Sequence, residues 1–227
     1  ALEIWTDVSG VFSANPKIVK NSKAIESLSY KEAMELSFFG AKVIYFPTLQ
    51  PLIEKSIPAY IKNTFDKDAI GTCISNKGEN NEESTIKGIS HIEKISLINF
   101  EGSGMVGVPG FSKRFFGALS ERGINVIMIT QASSEFSICV AVKESDANNA
   151  KISIDKEFEY EISQRKINEC QIENSLSNIA IVGDKMKSKK GVSGKLFSTL
   201  GNNNINIRAI AQGASERNIS IIIDEKD

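Results

Sequence analysis

The sequence predicts an α+β fold in which two tandem βαββαβ units follow a domain of a different kind. Residues 110–142 align with residues 191–223 without a gap when the sequence is shifted by 81 positions. Each copy reads as a strand, a helix with one apolar stripe and two further strands. Residues 1–75 show none of this pattern.

Identical residues fall at corresponding positions of the two copies. The pairs are Ser112 and Ser193, Phe116 and Phe197, Leu119 and Leu200, Ile124-Asn125 and Ile205-Asn206, Ile129 and Ile210, Gln131 and Gln212, and Ser134-Glu135 and Ser215-Glu216. These identities coincide with the helices, the strand starts and the turns. We therefore interpret the region as a duplicated unit.

The first copy begins with a strand over residues 95–100 and a glycine-containing loop. The helix that follows places Phe111, Phe115 and Leu119 at helical spacing, which predicts one buried stripe. Gly123 follows this helix, where a left-handed residue is favoured, and Asn204 takes the same place in the second copy.

Two strands over residues 124–130 and 136–142 continue the first copy. The polar turn between them is too short for a parallel crossover, so they form an antiparallel hairpin. A helix over residues 146–158, capped by Ser145, and a closing strand over residues 159–162 complete the βαββαβ order. The helices should cover one face of an antiparallel sheet.

The second copy ends at Asp227 before a second helix and a closing strand. Either those elements lie beyond this chain, or another part of the chain supplies them. The chain begins with a strand that leads directly into a turn-rich segment. We expect this chain to be a piece of a larger protein.

Residues 1–75 have their own element order. We expect a strand, a turn-rich segment, a helix over residues 29–39, a short strand over residues 42–46 and a helix over residues 49–55. The polar stretch that follows has the composition of a linker. The predicted boundaries are a first domain at residues 1–75, a linker at residues 76–87, and repeats at residues 88–165 and 166–227.

The charges nearly balance, with 27 lysines and arginines against 28 aspartates and glutamates. Such a chain has no broad field to hold nucleic acid or an anionic membrane surface. No apolar run approaches the length of a membrane span, and no secretory signal opens the chain. We expect a cytoplasmic protein with neither kind of partner.

Three cysteines and one histidine limit the chemistry of the chain. Cys73, Cys139 and Cys170 are widely separated, which fits neither a disulfide framework nor a zinc site. We expect free thiols and no metal. Because His91 is the single histidine, a mechanism in which a histidine base activates a nucleophile is nearly excluded. We expect His91 on a surface turn.

Gly102, Gly104 and Gly107 match the spacing G-x-G-x-x-G between a strand and a helix. A dinucleotide-binding turn is one reading, but it requires a parallel second strand, whereas the strand that ends at Gln131 turns directly into an antiparallel partner. A second reading is that the glycines only relieve crowding. The reading we favour is a loop that wraps a small zwitterion.

A zwitterion would find complementary groups beside this loop. The first N–H groups of the helix from Phe111 would bind its carboxylate, assisted by the helix dipole. Gln131 and Gln212, at equivalent strand ends, can both donate and accept, which suits an ammonium and a hydroxyl. Ordinary surface placement remains the alternative for both glutamines.

The repeats resemble the ACT domain, a ferredoxin-like βαββαβ fold that binds amino acids in allosteric enzymes. The segments that carry the resemblance are GSGMVGVPGFSKRFFGAL (residues 102–119), INVIMITQASSE (residues 124–135), MKSKKGVSGKLFSTL (residues 186–200) and INIRAIAQGASE (residues 205–216). They are similar to those of aspartate kinases, and more particularly of the bifunctional aspartokinase/homoserine dehydrogenases.

The first domain resembles the same family independently. WTDVSG (residues 5–10) with NPK (residues 15–17), and EAMELSFFGAKV (residues 32–43) with YFPTLQP (residues 45–51), are similar to the carboxyl part of its α/β amino-acid-kinase domain. The departures are Tyr45 and Phe46, where many members have histidine and proline. The resemblance implies an ATP-binding remnant formed by Thr6, Asp7 and Lys42.

The resemblance also implies what the larger protein does. It would phosphorylate aspartate with Mg-ATP and carry an NADP-dependent homoserine dehydrogenase, whereas this fragment holds no catalytic residues and no cofactor. The fragment would form a homodimer through its repeats and bind a feedback effector, with threonine expected; lysine sites share the scaffold. The implied effector residues are Met105, Gly110, Phe111, Val126, Gln131, Ser134, Glu135 and Gln212. The alternative is a dimerisation module without an effector.

Overall fold

The computed structural model describes residues 1–38, 43–76, 78, 85–131, 136–213 and 217–227. These residues form two compact units. Unit 1 comprises residues 1–92, 178–206 and 212–221, and unit 2 comprises residues 93–177, 207–211 and 222–227. Each unit therefore contains segments that are far apart in the sequence.

Unit 1 contains a four-stranded mixed sheet with the order β1-β3-β4-β2. The strands are β1 (Leu2–Thr6), β2 (Ser27–Ser29), β3 (Ala59–Asn63) and β4 (Thr72–Ser75). β1 runs parallel to β3, β2 runs parallel to β4, and β3 and β4 are antiparallel. The sheet is consistent with the predicted α/β character of the first domain.

Two helices belong to this part of unit 1, α1 (Tyr30–Phe38) and α2 (Phe46–Glu54). α1 begins with a capping box: the Ser29 hydroxyl accepts from the Glu32 N–H, and the Glu32 carboxylate accepts from the Ser29 N–H. Together with the strands, the helices bury an apolar core that includes Leu28, Leu36 and Ile61.

The repeats contribute a six-stranded sheet with the order β6-β7-β5-β8-β10-β9. The strands are β5 (Gly88–Glu101), β6 (Met128–Gln131), β7 (Ser137–Lys143), β8 (Gln171–Val182), β9 (Ala209–Ala211) and β10 (Asn218–Asp224). The predicted hairpin is confirmed, because β6 and β7 pair antiparallel with Met128 opposite Ala141. β5 pairs antiparallel with β7.

The first repeat carries α3 (Phe111–Ser120), α4 (Ala147–Glu157) and a short α5 (Glu159–Ser163). The predicted stripe is confirmed, since Phe111, Phe115 and Leu119 are all buried. Phe100 and Phe158 complete an aromatic cluster with ring centroids 4.4 to 5.9 Å apart.

The predicted closing strand over residues 159–162 is wrong. These residues form helix α5, in which Glu161 lies four positions after Glu157, the last residue of α4, and both carboxylates bind Arg114. The first half of β8 takes the closing position instead, next to β5 in the sheet order. The predicted cap is also different: Asp146, not Ser145, precedes α4, without a side-chain capping bond.

The first part of β5, which precedes the second repeat in the sequence, provides the closing strand of that repeat. β5 and β8 both run through the two units, and each contains a residue with positive φ near the division, Lys94 and Ser175. In unit 1 the Lys87 N–H donates to Val182 O at 2.8 Å. In unit 2 the Asn168 N–H donates to the carbonyl oxygen of Glu101 at 3.0 Å. Asn168 lies 81 positions after Lys87, and Glu101 lies 81 positions before Val182, so the two hydrogen bonds are equivalent.

The two compact units divide within β5 and β8, and the predicted boundary of the repeats at residues 165 and 166 stays a prediction. Residues 88–92 belong to unit 1 with the second repeat, and residues 171–177 belong to unit 2 with the first. A long strand has no turn residue to mark such a division, so the sequence pattern does not reveal it.

Several local expectations have clear outcomes. Gly123 and Asn204 adopt the predicted left-handed conformation, with φ of 65° and 57°. His91 lies half-buried in β5 and not on a turn. Within the predicted strand over residues 42–46, the described residues form a turn that leads into α2, and Lys42 lies outside the described residues.

The second repeat carries α6 (Val192–Asn202), which begins after Gly191 in the same left-handed conformation as Gly110 before α3. Its apolar stripe is less buried than that of α3: Leu200 is buried, whereas Val192 and Leu196 are half-buried. No helix in the described part of the chain has the length and apolar character needed to cross a membrane.

Candidate effector site

Unit 2 contains a cavity of about 440 Å³ between the loop after β5 and the ends of β6 and β7. Residues 107–112 form one wall, and Met105, Gln131 and Ile138 form the rest. This is the loop that the sequence singled out for a small zwitterion. Four of the predicted effector residues line it: Met105, Gly110, Phe111 and Gln131.

The glycines of the loop have two different roles. A β-carbon on Gly102 would lie 2.5 Å from Ile167 Cα, and one on Gly104 would lie 2.8 Å from Lys166 Cβ. These two glycines permit close packing, which is the crowding that sequence reasoning offered as an alternative. Gly107 and Gly110 have positive φ and open space around them, so they shape the cavity wall.

The first turn of α3 provides hydrogen-bond donors on the cavity wall. Gly110 precedes the helix and carries no side chain that could cap it, and the first turn contains no acidic residue. The first N–H groups of a helix have no acceptor within the helix, and the helix dipole adds partial positive charge there. A ligand carboxylate would satisfy these donors.

Gln131 lies at the end of β6, opposite Ile138 on β7, and its side chain is exposed. Its amide can therefore approach a ligand in the cavity without losing a protein partner in a buried core. The apolar groups of Met105 and Ile138 offer contact surface to a small side chain.

The structure does not bring all predicted effector residues to this cavity. Val126 is half-buried against the apolar core of the first repeat and does not line the cavity. Gln212 belongs to unit 1, where it is exposed. Ser134 and Glu135 lie outside the described residues.

Sequence reasoning missed four exposed apolar residues of unit 2. Val106, Val108, Ile129 and Phe136 are all exposed, and Val108 also lines the cavity. We call these four residues the apolar surface. The sequence signal was the V-x-V pair in a glycine-rich loop, where polar residues are usual.

Helix α3 is braced against α4 and α5 within unit 2. Arg114 Nε donates to Glu157 at 2.8 Å, Arg114 Nη1 donates to Glu161 at 2.5 Å, and the guanidinium lies 4.3 Å from the centre of the Phe158 ring. These hydrogen bonds raise the pKa of Arg114 and lower the pKa of the Glu161 carboxyl. The brace holds the helix whose first turn forms the cavity wall.

The predicted ATP-binding residues lie apart from this cavity, in unit 1. Thr6 ends β1, and its hydroxyl donates to the exposed carboxylate of Asp7 at 3.0 Å. A smaller cavity of about 250 Å³ lies in unit 1 and is lined by Asn15, Lys17 and His91 among others. Thr6 and Asp7 do not line it, and Lys42 lies outside the described residues.

Comparison with known proteins agrees with both parts of the fold. The model of the amino acid kinase family matches residues 1–63, and the ACT domain model matches residues 98–158 and 179–227. A bifunctional aspartokinase/homoserine dehydrogenase of Haemophilus influenzae is 43% identical over 98% of this chain. The chain belongs to the aspartate kinase family.

Solved aspartate kinases share the fold. The Clostridium acetobutylicum aspartate kinase, described as an allosteric enzyme, superposes with a TM-score of 0.87 and 32% identity, over 99% of this chain and 51% of that one. Escherichia coli aspartokinase III in complex with lysine and aspartate superposes with a TM-score of 0.77 and 28% identity, over 99% and 48%. The chain spans only 27% of the Haemophilus relative.

Proposed function

We propose that this chain is the amino-acid-sensing part of a bifunctional aspartokinase/homoserine dehydrogenase, and that threonine is its effector. The observation that carries the proposal is the cavity that the open first turn of α3 and Gln131 both line. The resemblance to fused enzymes over nearly the whole chain supports the assignment.

Each group of threonine has a chemical counterpart in the cavity. The carboxylate would accept hydrogen bonds from the first N–H groups of α3. The hydroxyl or the ammonium would bind the Gln131 amide, which donates and accepts. The methyl group would contact Met105 and Ile138, which are buried apolar residues of the lining.

The same lining argues against lysine as the preferred effector. The described residues of the lining include no aspartate or glutamate, so none of them offers a counter-charge to a second ammonium. Threonine carries no such second charge. Feedback ligands act near cellular concentrations, so an affinity of about micromolar to millimolar is sufficient.

A second copy of the chain would cover the apolar surface. Val106, Ile129 and Phe136 are exposed on the unit that contains the cavity. Exposed apolar groups and sheet edges favour pairing with another chain, most often with two-fold symmetry. We propose a homodimer through the repeats, in which binding at the cavity favours one subunit arrangement.

The larger protein would transfer a phosphoryl group from Mg-ATP to aspartate and reduce or oxidise a substrate with NADP in a dehydrogenase domain. Thr6, Asp7 and Lys42 would contribute to the nucleotide site of the kinase domain. The chain spans about a quarter of its bifunctional relatives, and we propose that it does not catalyse phosphorylation by itself.

A dimerisation module without an effector is the second candidate, and the exposed apolar surface is the observation that favours it. Calorimetric titration of the chain with threonine, lysine, methionine and isoleucine separates the two functions. Saturable heat with threonine alone supports the sensing function. If none of the four amino acids binds and the chain sediments as a dimer, the second candidate is correct.

A further inference from the structure

The loop of the second repeat contacts helix α1 of the kinase segment within unit 1. The Ser29 hydroxyl donates to Asp184 Oδ2 at 2.5 Å, and the Asp184 N–H donates to Glu32 Oε1 at 2.9 Å. Ser29 and Glu32 are also the two members of the α1 capping box. Asp184 therefore binds both members of the capping box.

Arg217 completes this arrangement. Its Nε donates to Asp184 Oδ1 at 2.7 Å, so both carboxylate oxygens of Asp184 are engaged. The next residue, Asn218, donates from its side chain to the Glu35 carboxylate one turn along α1. The second repeat thus contacts α1 through its loop and through the start of β10.

The corresponding residues of the first repeat have different chemistry. Asp184 and Arg217 occupy the positions of Ser103 and Phe136, each 81 residues earlier. Ser103 and Phe136 cannot form an ion pair, and Phe136 is exposed as part of the apolar surface. The backbone is nevertheless the same, because Gly183 N donates to Arg217 O as Gly102 N donates to Phe136 O.

We propose that Asp184 and Arg217 are positioning residues that fix helix α1 to the second repeat. Ser29 and Glu32 are buried, whereas the side chains of Asp184 and Arg217 are about one-third exposed. The pair therefore lies at the solvent-exposed edge of a buried hydrogen-bond network, and its geometry affects the hydrogen bonds of Ser29 and Glu32.

This proposal goes beyond effector sensing and does not rest on the identity of the effector. Loss of Arg217 would leave the Asp184 carboxylate without its cation, beside the carboxylate of Glu32. The unpaired Asp184 carboxylate would weaken the capping box, so the first turn of α1 would open more often.

Hydrogen–deuterium exchange on the 227-residue chain tests the proposal. In Arg217→Gln the amides of α1 should exchange roughly three- to ten-fold faster, as expected for loss of a partly exposed charged hydrogen bond. Asp184→Asn should act on the same amides, and the two effects should be less than additive in the double variant. Amides of β7 in unit 2 should keep their wild-type rates.

Arg208→Gln is the matched control, because Arg208 Nε binds Asp224 at 3.0 Å in unit 2 with similar exposure. If Arg217→Gln does not fold, Arg217→Lys keeps the charge without the guanidinium geometry and should accelerate α1 exchange by a smaller factor. The proposal is overturned if α1 exchange matches that of Arg208→Gln, or if β7 amides accelerate equally.

Discussion

A β-carbon on Gly183 would lie 2.2 Å from the carbonyl oxygen of Thr85. The same crowding occurs in the first repeat, where the obstacle to a Gly102 β-carbon is Ile167. In both repeats the segment that enters the closing strand passes directly over a glycine at the end of the first strand. The two repeats are therefore closed in the same way, although the closing segments come from opposite directions along the chain.

Replacement of Gly183 by alanine should destabilise the protein. The obstacle is backbone, which cannot move aside as a flexible side chain can, and overpacking costs about 1–3 kcal/mol or more. Gly201→Ala is the control, because Gly201 lies in α6 with open space and should gain up to about 1 kcal/mol. Denaturant unfolding measures both. Equal stability of the two variants would contradict the closure of the second repeat by residues 85–92.

Asn178→Leu should stabilise the protein. Asn178 is 0% exposed, and neither polar atom of its side chain has a hydrogen-bond partner in the described structure. Removing a buried, unsatisfied carboxamide should gain about 1–3 kcal/mol, less the cost of the change in shape. A lower midpoint of urea unfolding would show that the carboxamide has a partner.

Asn174→Leu, four residues away on the same strand, should have the opposite effect. Asn174 accepts a 2.6 Å hydrogen bond from the hydroxyl of Ser96, which is fully buried. Loss of this acceptor leaves a buried donor unsatisfied and should cost about 1 kcal/mol or more. Urea unfolding of Asn174→Leu beside Asn178→Leu tests whether the sign of the change follows the hydrogen bond.

The contribution of Glu161 to stability should depend on pH. Arg114 lowers the pKa of Glu161 below its ordinary value of 4.5, so the ionised carboxylate stabilises the folded state at neutral pH. That stabilisation is lost as the pH falls through the lowered pKa, because the carboxyl becomes protonated. Glu161→Gln should cost no more than about 1 kcal/mol at pH 7 and progressively less below pH 4.5.

Thermal unfolding of Glu161→Gln and of the unchanged chain between pH 3 and pH 7 measures this dependence. Glu159→Gln is the control, because Glu159 is exposed in the same helix. A cost that is independent of pH would exclude the ion pair with Arg114 as its cause.

Two of the three cysteines should resist alkylation in the folded protein. Burial raises the pKa of Cys139 to about 11 and raises the pKa of Cys170 further still. Because the thiolate is the reactive form, both should react slowly with iodoacetamide at about pH 8 until denaturant is added. Mass spectrometry of the labelled peptides gives the rates. Rapid labelling of Cys170 in the native protein would contradict its burial.

Much of the repeat architecture could be predicted, because duplication reveals which features are structural. The left-handed residues Gly123 and Asn204 and the stripe of α3 recur at one spacing, and each follows local rules of helix formation. The cavity was predicted in the same way, since a glycine-rich loop before a helix offers N–H donors. Met105 and Gln131 both line the cavity, and their role in binding an effector stays a prediction.

The remaining features depend on contacts that a local pattern does not encode. Residues 159–162 alternate polar and apolar side chains like a strand, but Arg114 on another helix binds Glu161 and the segment is helical. The strand that closes the second repeat lies far before that repeat in the sequence, so the order of elements along the chain does not reveal it. The contact of Asp184 with Ser29 joins residues 155 positions apart.

The most direct test of the effector site is the affinity of Gln131→Ala for threonine, measured by calorimetry beside Gln164→Ala, an exposed glutamine of unit 2. The cavity predicts that Gln131→Ala weakens binding by about ten-fold or more, equivalent to roughly 1.4 kcal/mol, and that Gln164→Ala binds as the unchanged chain does. Equal affinity of the two variants for threonine would contradict the assignment of this cavity as the effector site.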